Sequence, residues 1–155
     1  MMTSQAAVAT ATQYVDVVIC GAGFGGLCMG IKLREQGNEN FVILEKGNDV
    51  GGTWRDNSYP GCACDVQSHM YSYSFAPKPD WSKRYAPWDE IQQYILDTTE
   101  EYGMRPFCRF GQEVNSAVFD EDTGTWTVGT AAGDVYVCQH FVLASGPLHF
   151  PKYPN

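Results

Sequence analysis

An α/β fold that opens on a nucleotide-binding βαβ unit is predicted by three observations. A nearly continuous apolar run, Val15, Val17, Val18 and Ile19, feeds directly into Gly21-Ala22-Gly23-Phe24-Gly25-Gly26. A segment with helical spacing follows and leads to a second apolar run, Phe41-Val42-Ile43-Leu44. That run ends in Glu45, 24 residues after the first motif glycine. A glycine turn between two buried strands, with an acid at the end of the second, is the pattern of a Rossmann-like dinucleotide-binding domain.

Each part of this unit has a physical reason. The first run lacks polar alternation, as expected of a parallel strand buried on both faces, and Asp16 is expected at its entrance. Gly21 makes the tight turn out of the strand. Gly23 lets backbone approach a pyrophosphate, and Gly26 lets the helix pack close to the sheet. The helix start offers unpaired N–H groups and a positive dipole end to the same pyrophosphate. Leu27, Gly30 and Ile31 form the buried face, Leu33 lies near it, and Gly37 stops the helix. Glu45 can accept the ribose hydroxyls of an adenosine, and its charge would repel a 2′-phosphate. NADP is therefore not expected in this first site.

A second glycine pair, Gly51-Gly52, follows within Lys46-Gly47-Asn48-Asp49-Val50-Gly51-Gly52-Thr53-Trp54-Arg55. In an NAD dehydrogenase another helix would normally follow the acid. A glycine pair here brings backbone amides against the far part of a longer cofactor, which favours FAD over NAD. Lys78 to Tyr85 reads as an exposed loop. Pro87 opens a helix with Asp89 and Glu90 at its positive end and Ile91, Tyr94, Ile95, Thr98 and Tyr102 on its buried face; Gly103 stops it. Phe107 to Phe110 is a short strand. Glu113–Phe119, Thr125–Thr130 and Asp134–Cys138 read as a three-stranded β-meander, and Phe141–Gly146 as the next, separate parallel strand.

The stretches GAGFGGL, LEKGNDVGGTWRDNSYPG and CDVQSHMYSYSF resemble flavoprotein monooxygenases of the Baeyer–Villiger and flavin-containing monooxygenase group. The resemblance runs from about Tyr14 to the end of the chain. It implies a Rossmann-like FAD-binding domain of the glutathione-reductase type, a parallel sheet with a three-stranded β-meander insertion. The cofactors it implies are FAD and, in the complete enzyme, NADPH. Gly21, Gly23, Phe24 and Gly26 match the first cofactor loop, and Glu45 and Lys46 the end of the second strand. Gly52, Thr53 and Trp54 match positions that run along the flavin. Asp65 matches the catalytic aspartate beside the flavin, and Tyr71 a tyrosine that contacts FAD. Val114 matches a position near the adenine. Ala144 and Gly146 lie in a segment that returns the backbone to the cofactor, with Ser145 replacing the usual threonine. One departure stands out: many relatives carry arginine two positions before the aspartate, where this chain has Ala63. Without the resemblance, Trp54, Tyr59, Tyr71, Tyr73 and Phe75 read as an aromatic core.

Bulk composition bounds the remaining choices. A chain of 155 residues with 44% hydrophobic and 18% charged residues suits one globular domain. A net charge of −8 without a basic block argues against nucleic acid and anionic membrane as partners. The six cysteines read as reduced thiols in a cytoplasmic protein, since several sit in apolar runs and Cys62-x-Cys64 is too tightly spaced for a CxxC redox motif. His69, His140 and His149 lack metal-site spacing, so no metal is expected. Residues 1–13 read as a disordered tail without signal or transit character, and residues 14–155 as the FAD-binding domain.

The resemblance also implies what should accompany this domain. The family's NADPH-binding domain, with its own glycine fingerprint, and a C-terminal segment are not found in the sequence, so the FAD domain is expected to be incomplete. The function implied is NADPH-dependent monooxygenation with O₂ and a small lipophilic substrate. A ketone would give an ester or lactone; a nitrogen or sulfur centre would give an oxide. Two further readings stay open: a pyridine-nucleotide disulfide reductase, against which the Cys62–Cys64 spacing counts, and a non-catalytic FAD-binding module that needs a partner chain.

Overall fold

The computed structural model describes residues 11–149 and 152–154. Residues 1–10 of the predicted tail lie outside the described residues. Gln13, placed in that tail by the sequence reading, is the first residue of strand β1 (Gln13–Cys20). The further elements are α1 (Phe24–Glu35), β2 (Phe41–Glu45), a short α2 (Thr53–Asp56), α3 (Trp88–Glu101), β3 (Cys108–Phe110), β4 (Val114–Asp120), β5 (Thr125–Thr130) and β6 (Val135–Leu143). Single 3₁₀ turns occur at Ser68–Met70 and Arg105–Phe107.

The strands form one mixed six-stranded sheet in the order β3-β2-β1-β6-β5-β4. β3, β2, β1 and β6 run parallel, while β5 and β4 are antiparallel to their neighbours. This is a Rossmann-like α/β sheet in which β1 and β2 are both interior strands. Consecutive residues of these two strands bury opposite faces. Val17, Ile19, Phe41 and Ile43 pack with α1 and α3, and Val18, Val42 and Leu44 pack with Val128, Tyr136 and Cys138 of the sheet itself. Two buried faces explain why neither strand shows polar alternation.

The sequence reading separated a strand ending at Cys138 from one beginning at Phe141. In the structure they are a single strand, β6. It pairs with β1 along its length, from Gln13 opposite Tyr136 to Cys20 opposite Leu143. No glycine or proline lies between Val135 and Leu143 to end it, and β1 offers an unbroken ladder to both halves. Ala144, Ser145 and Gly146 fall beyond the strand, where the chain turns with Gly146 at φ +70°.

The helices follow the sequence pattern closely. α1 buries Gly26, Leu27, Gly30 and Ile31. Gly30 sits on this apolar face because a Cβ there would lie 2.6 Å from Met104 Cε and 3.1 Å from the Ile43 and Phe41 side chains. α3 buries Ile91, Tyr94, Ile95 and Thr98, as its spacing predicts, and also Thr99. Thr98 and Thr99 are tolerated in the core because their hydroxyls donate to the carbonyls of Tyr94 and Ile95 one turn back. Tyr102 is only partly buried, and its hydroxyl donates to the Phe75 carbonyl at 3.2 Å. Among the described residues no helix is long and apolar enough to cross a membrane.

The core also sets an alkaline limit. Burial pushes the Cys108 thiol up to about 11, against 9.0 for an ordinary thiol. The unfolded chain therefore loses this proton first, and stability falls as pH rises from 9.0 toward about 11. Cys108→Ala is expected to flatten part of this alkaline limb when unfolding by urea is followed against pH. An unchanged limb would count against a buried, protonated Cys108.

Candidate functional site

At the C-terminal ends of the parallel strands the backbone is stitched together tightly. Gly21 N–H donates to the Leu44 carbonyl at 2.8 Å, and Ala144 N–H donates to the Cys20 carbonyl at 2.9 Å. Two glycines make this possible. At Gly21, φ is +104° and a Cβ would lie 2.6 Å from the Ala144 carbonyl oxygen. At Gly26, a Cβ would lie 1.8 Å from the Gly21 carbonyl oxygen. The first turn of α1 therefore rests directly on the strand-ending turn. It has no side-chain cap and no acidic residue, so its N–H groups are available to an anion.

The second glycine pair meets the first loop. Gly51 N–H donates to the Ala22 carbonyl at 2.9 Å. A Cβ on Gly52, where φ is +53°, would lie 3.3 Å from Gly23 Cα. Backbone approaches backbone here, with α2 starting at the contact. The two loops border a cavity of about 1190 Å³ outside the strand ends, the position where open α/β sheets bind ligands.

Of the predicted site residues, Gly21, Gly23, Phe24, Glu45, Lys46, Gly52, Thr53, Trp54, Asp65, Tyr71, Val114, Ala144 and Gly146 all line this cavity. Gly26 lies beneath it, in the close packing just described. Glu45 is only 4% exposed. One carboxylate oxygen, Oε2, accepts from Ala22 N–H at 2.8 Å; the other, Oε1, accepts from Gly47 N–H at 2.8 Å. Near this carboxylate, burial and then the Glu45 charge push the Cys20 thiol pKa up, so Cys20 stays protonated at neutral pH.

Around Trp54 the cavity wall is aromatic. The Trp54 indole N–H donates to the Tyr71 hydroxyl at 3.1 Å, and the two rings meet edge to face at 5.5 Å. Burial pushes the Tyr71 pKa up. Phe24 packs edge-on against Tyr71 and Tyr73, whose hydroxyl donates to the Phe24 carbonyl. Cavity wall and aromatic core are thus one cluster, and Tyr73 and Phe75 belong to the core side. Tyr59 is mostly exposed. Asp65 is exposed at the cavity edge, after a segment pinned to the start of α3 by Cys64 N–H to Ala86 O and Trp88 N–H to Cys62 O. At Val114 the β4–β5 register shifts, leaving an irregularity beside the cavity.

Sequence reasoning assigned no role to Arg55, Gln112 or His149, all of which line the cavity. Arg55 is the most informative: it ion-pairs with Glu45 at 3.0 Å. A cation just after the second glycine pair was the available signal. His69 is exposed and away from the cavity lining. Among the described residues no group of His, Cys, Asp and Glu could hold a metal ion. All six cysteines are free, including the buried Cys62 and Cys64.

Paired glycine loops, an uncapped helix start and a buried acid define the class: a Rossmann-like nucleotide-binding domain. In agreement, residues 19–86 match the family model of the NAD(P)-binding Rossmann-like domain. The chain is 44% identical over 143 residues to a Baeyer–Villiger monooxygenase of Streptomyces coelicolor, covering 92% of this chain and 27% of that protein. It is 39% identical over 150 residues to an FAD-binding monooxygenase of Aspergillus niger, covering 90% and 25%. An oxidised steroid monooxygenase bound to NADP superposes with a TM-score of 0.87 at 39% identity, covering 92% of this chain and 28% of that one. The chain is thus similar to Baeyer–Villiger and FAD-binding monooxygenases, and it spans about a quarter of the length of the relatives it matches.

The two neighbouring glycines in α1 separate packing from mere proximity. Gly26→Ala must displace a backbone carbonyl and is expected to cost about 3 kcal/mol or more. Gly25→Ala, whose Cβ would meet only the Ala144 methyl at 3.7 Å, should stay within about 1 kcal/mol of the parent. Urea unfolding of the two variants checks this; equal stabilities would contradict the packing role of Gly26.

Proposed function

We infer that this chain is the FAD-binding portion of an NADPH-dependent flavoprotein monooxygenase of Baeyer–Villiger type, with a ketone and O₂ as co-substrates. The observation that carries the reading is the contact of Gly52 with Gly23, which joins two glycine loops along one cavity. A single loop suits a mononucleotide or the near half of a dinucleotide; two joined loops suit a cofactor that extends past the pyrophosphate. The homology to monooxygenases named for FAD and for the Baeyer–Villiger reaction supports the same reading.

In this reading the N–H groups of Gly23, Phe24 and the first turn of α1 hold the pyrophosphate. Glu45 and Lys46 face the adenosine ribose, and Val114 the adenine. Gly52, Thr53, Trp54 and Tyr71 run along the flavin, with Asp65 at its reactive side as the candidate catalytic residue. Ala144 and Gly146 bring backbone back to the cofactor. FAD supplies the redox chemistry when bound, and the chain binds it, orients it and shields one side. The antiparallel β4, β5 and first half of β6 correspond to the β-meander of a glutathione-reductase-type domain spanning residues 14–155. The NADPH-binding domain and most of the substrate pocket belong to sequence beyond these residues, on the same polypeptide or a partner chain. A cytoplasmic location is part of the proposal, supported by the free cysteines.

The test is a titration of the purified chain with FAD, followed by the visible spectrum of protein-bound flavin. Saturable binding near one FAD per chain is expected, without NADPH oxidation when a ketone is added to this chain alone. Saturable binding of NAD with no binding of FAD would overturn the reading.

A further inference from the structure

Arg55 is mostly buried, with its side chain 14% exposed. Its guanidinium is shared among three acidic or carbonyl partners. Nε and Nη2 donate to the two carboxylate oxygens of Asp56 at 2.8 and 3.0 Å. Nη1 donates to the Asp49 carbonyl and lies 3.0 Å from Glu45 Oε1. The planar fork has a prepared seat: a Cβ on Gly47 would fall 2.4 to 2.6 Å from the guanidinium carbon and terminal nitrogens. Gly47 has no positive φ. The arginine side chain lies across it, while the Gly47 N–H donates to Glu45. Burial works against the arginine's charge, but the Asp56 and Glu45 carboxylates outweigh it and hold the guanidinium pKa above its ordinary value.

The arrangement leaves Glu45 asymmetric. An ionised carboxylate offers about four acceptor positions. Oε1 accepts from Gly47 N–H and carries the ion pair with Arg55, while Oε2 accepts from Ala22 N–H alone among the described residues. The open acceptor position is therefore on Oε2, in a residue that lines the cavity. Removing Arg55 would leave a buried carboxylate held by two backbone amides, with its charge uncompensated.

We propose that Arg55 is a positioning residue for adenosine recognition: it holds Oε1 of Glu45 and thereby reserves Oε2 for a ribose hydroxyl of the cofactor. The proposal rests on the FAD reading above. Because Arg55 stands on α2, which begins right after Gly52, it also ties the acid of the first βαβ unit to the loop that serves the far half of the cofactor. Lysine cannot replace it, since an ammonium lacks the planar fork that reaches Asp56, Asp49 and Glu45 together.

The experiment compares FAD with an analogue carrying 2′,3′-dideoxyribose in its adenosine half, both titrated by flavin fluorescence against the purified chain. The parent chain should prefer FAD by about tenfold or more, the worth of a hydrogen bond to a charged group. In Arg55→Met the preference should fall to about threefold or less, while affinity for the dideoxy analogue stays within about threefold of the parent. Arg55→Lys should fall in between, and it decides the matter if the methionine variant does not fold. A purely structural role lowers both affinities together and keeps the preference; that result in either folded variant overturns the proposal and leaves the cofactor reading standing. A parent chain that binds neither flavin overturns the cofactor reading and this inference with it.

Discussion

The structure depends on a backbone contact that no side chain larger than hydrogen permits. The Gly21 carbonyl oxygen occupies the space where a Cβ of Gly26 would lie, at 1.8 Å. This approach seats the first turn of α1 against the end of β1. It fixes where the helix axis points, and so where its free N–H groups present their positive end. Gly21 itself is crowded by the Ala144 carbonyl on the other side. Three chain segments, the ends of β1 and β6 and the start of α1, thus converge on a few ångströms of bare backbone. Polar backbone packed this closely must find partners. The hydrogen bonds from Gly21 to Leu44 and from Ala144 to Cys20 supply two of them.

Glu45 extends this junction outward. It closes β2, anchors the Ala22 amide of the glycine turn and receives Arg55 from α2. A second junction forms where Gly52 meets Gly23. The cavity is what remains between these constraints, with Trp54, Tyr71 and the start of β4 in its wall. The aromatic cluster beneath it is continuous with the main core through Phe24, Tyr73 and Tyr94. Anything that loosens that core therefore moves the cavity wall as well.

Much of this was legible in the sequence, and the limits are instructive. The packing of Gly26 on Gly21 follows from spacing, because these two are close in sequence as well as in space. α3 followed from its apolar period; Thr99 was missed, since a buried threonine satisfied by its own helix leaves no pattern, and Tyr102, expected on the buried face, caps the helix only partly buried. The continuous β6 was not legible. Where a strand ends depends on its partner, and β1 offers pairing along the whole of it. The neighbour of Gly47 was equally opaque: a guanidinium eight residues on lies against it, folded back by the turn at Gly51 and Gly52. Gly30 looked like an ordinary face position until Met104 was seen against it. In each case the missing information was a tertiary neighbour. For the site, the glycine loops, Glu45 and the aromatic wall were legible, while Arg55, Gln112 and His149, which line the same cavity, were not.

The central claim is that the two glycine loops form one cofactor site. Amide hydrogen exchange of the chain with FAD and with ADP tests it most directly. ADP, the adenosine half alone, should slow exchange at residues 22–26 and leave residues 52–54 as in the free chain. FAD should slow both segments together. Protection of residues 22–26 alone by both ligands would contradict a single site spanning the two loops.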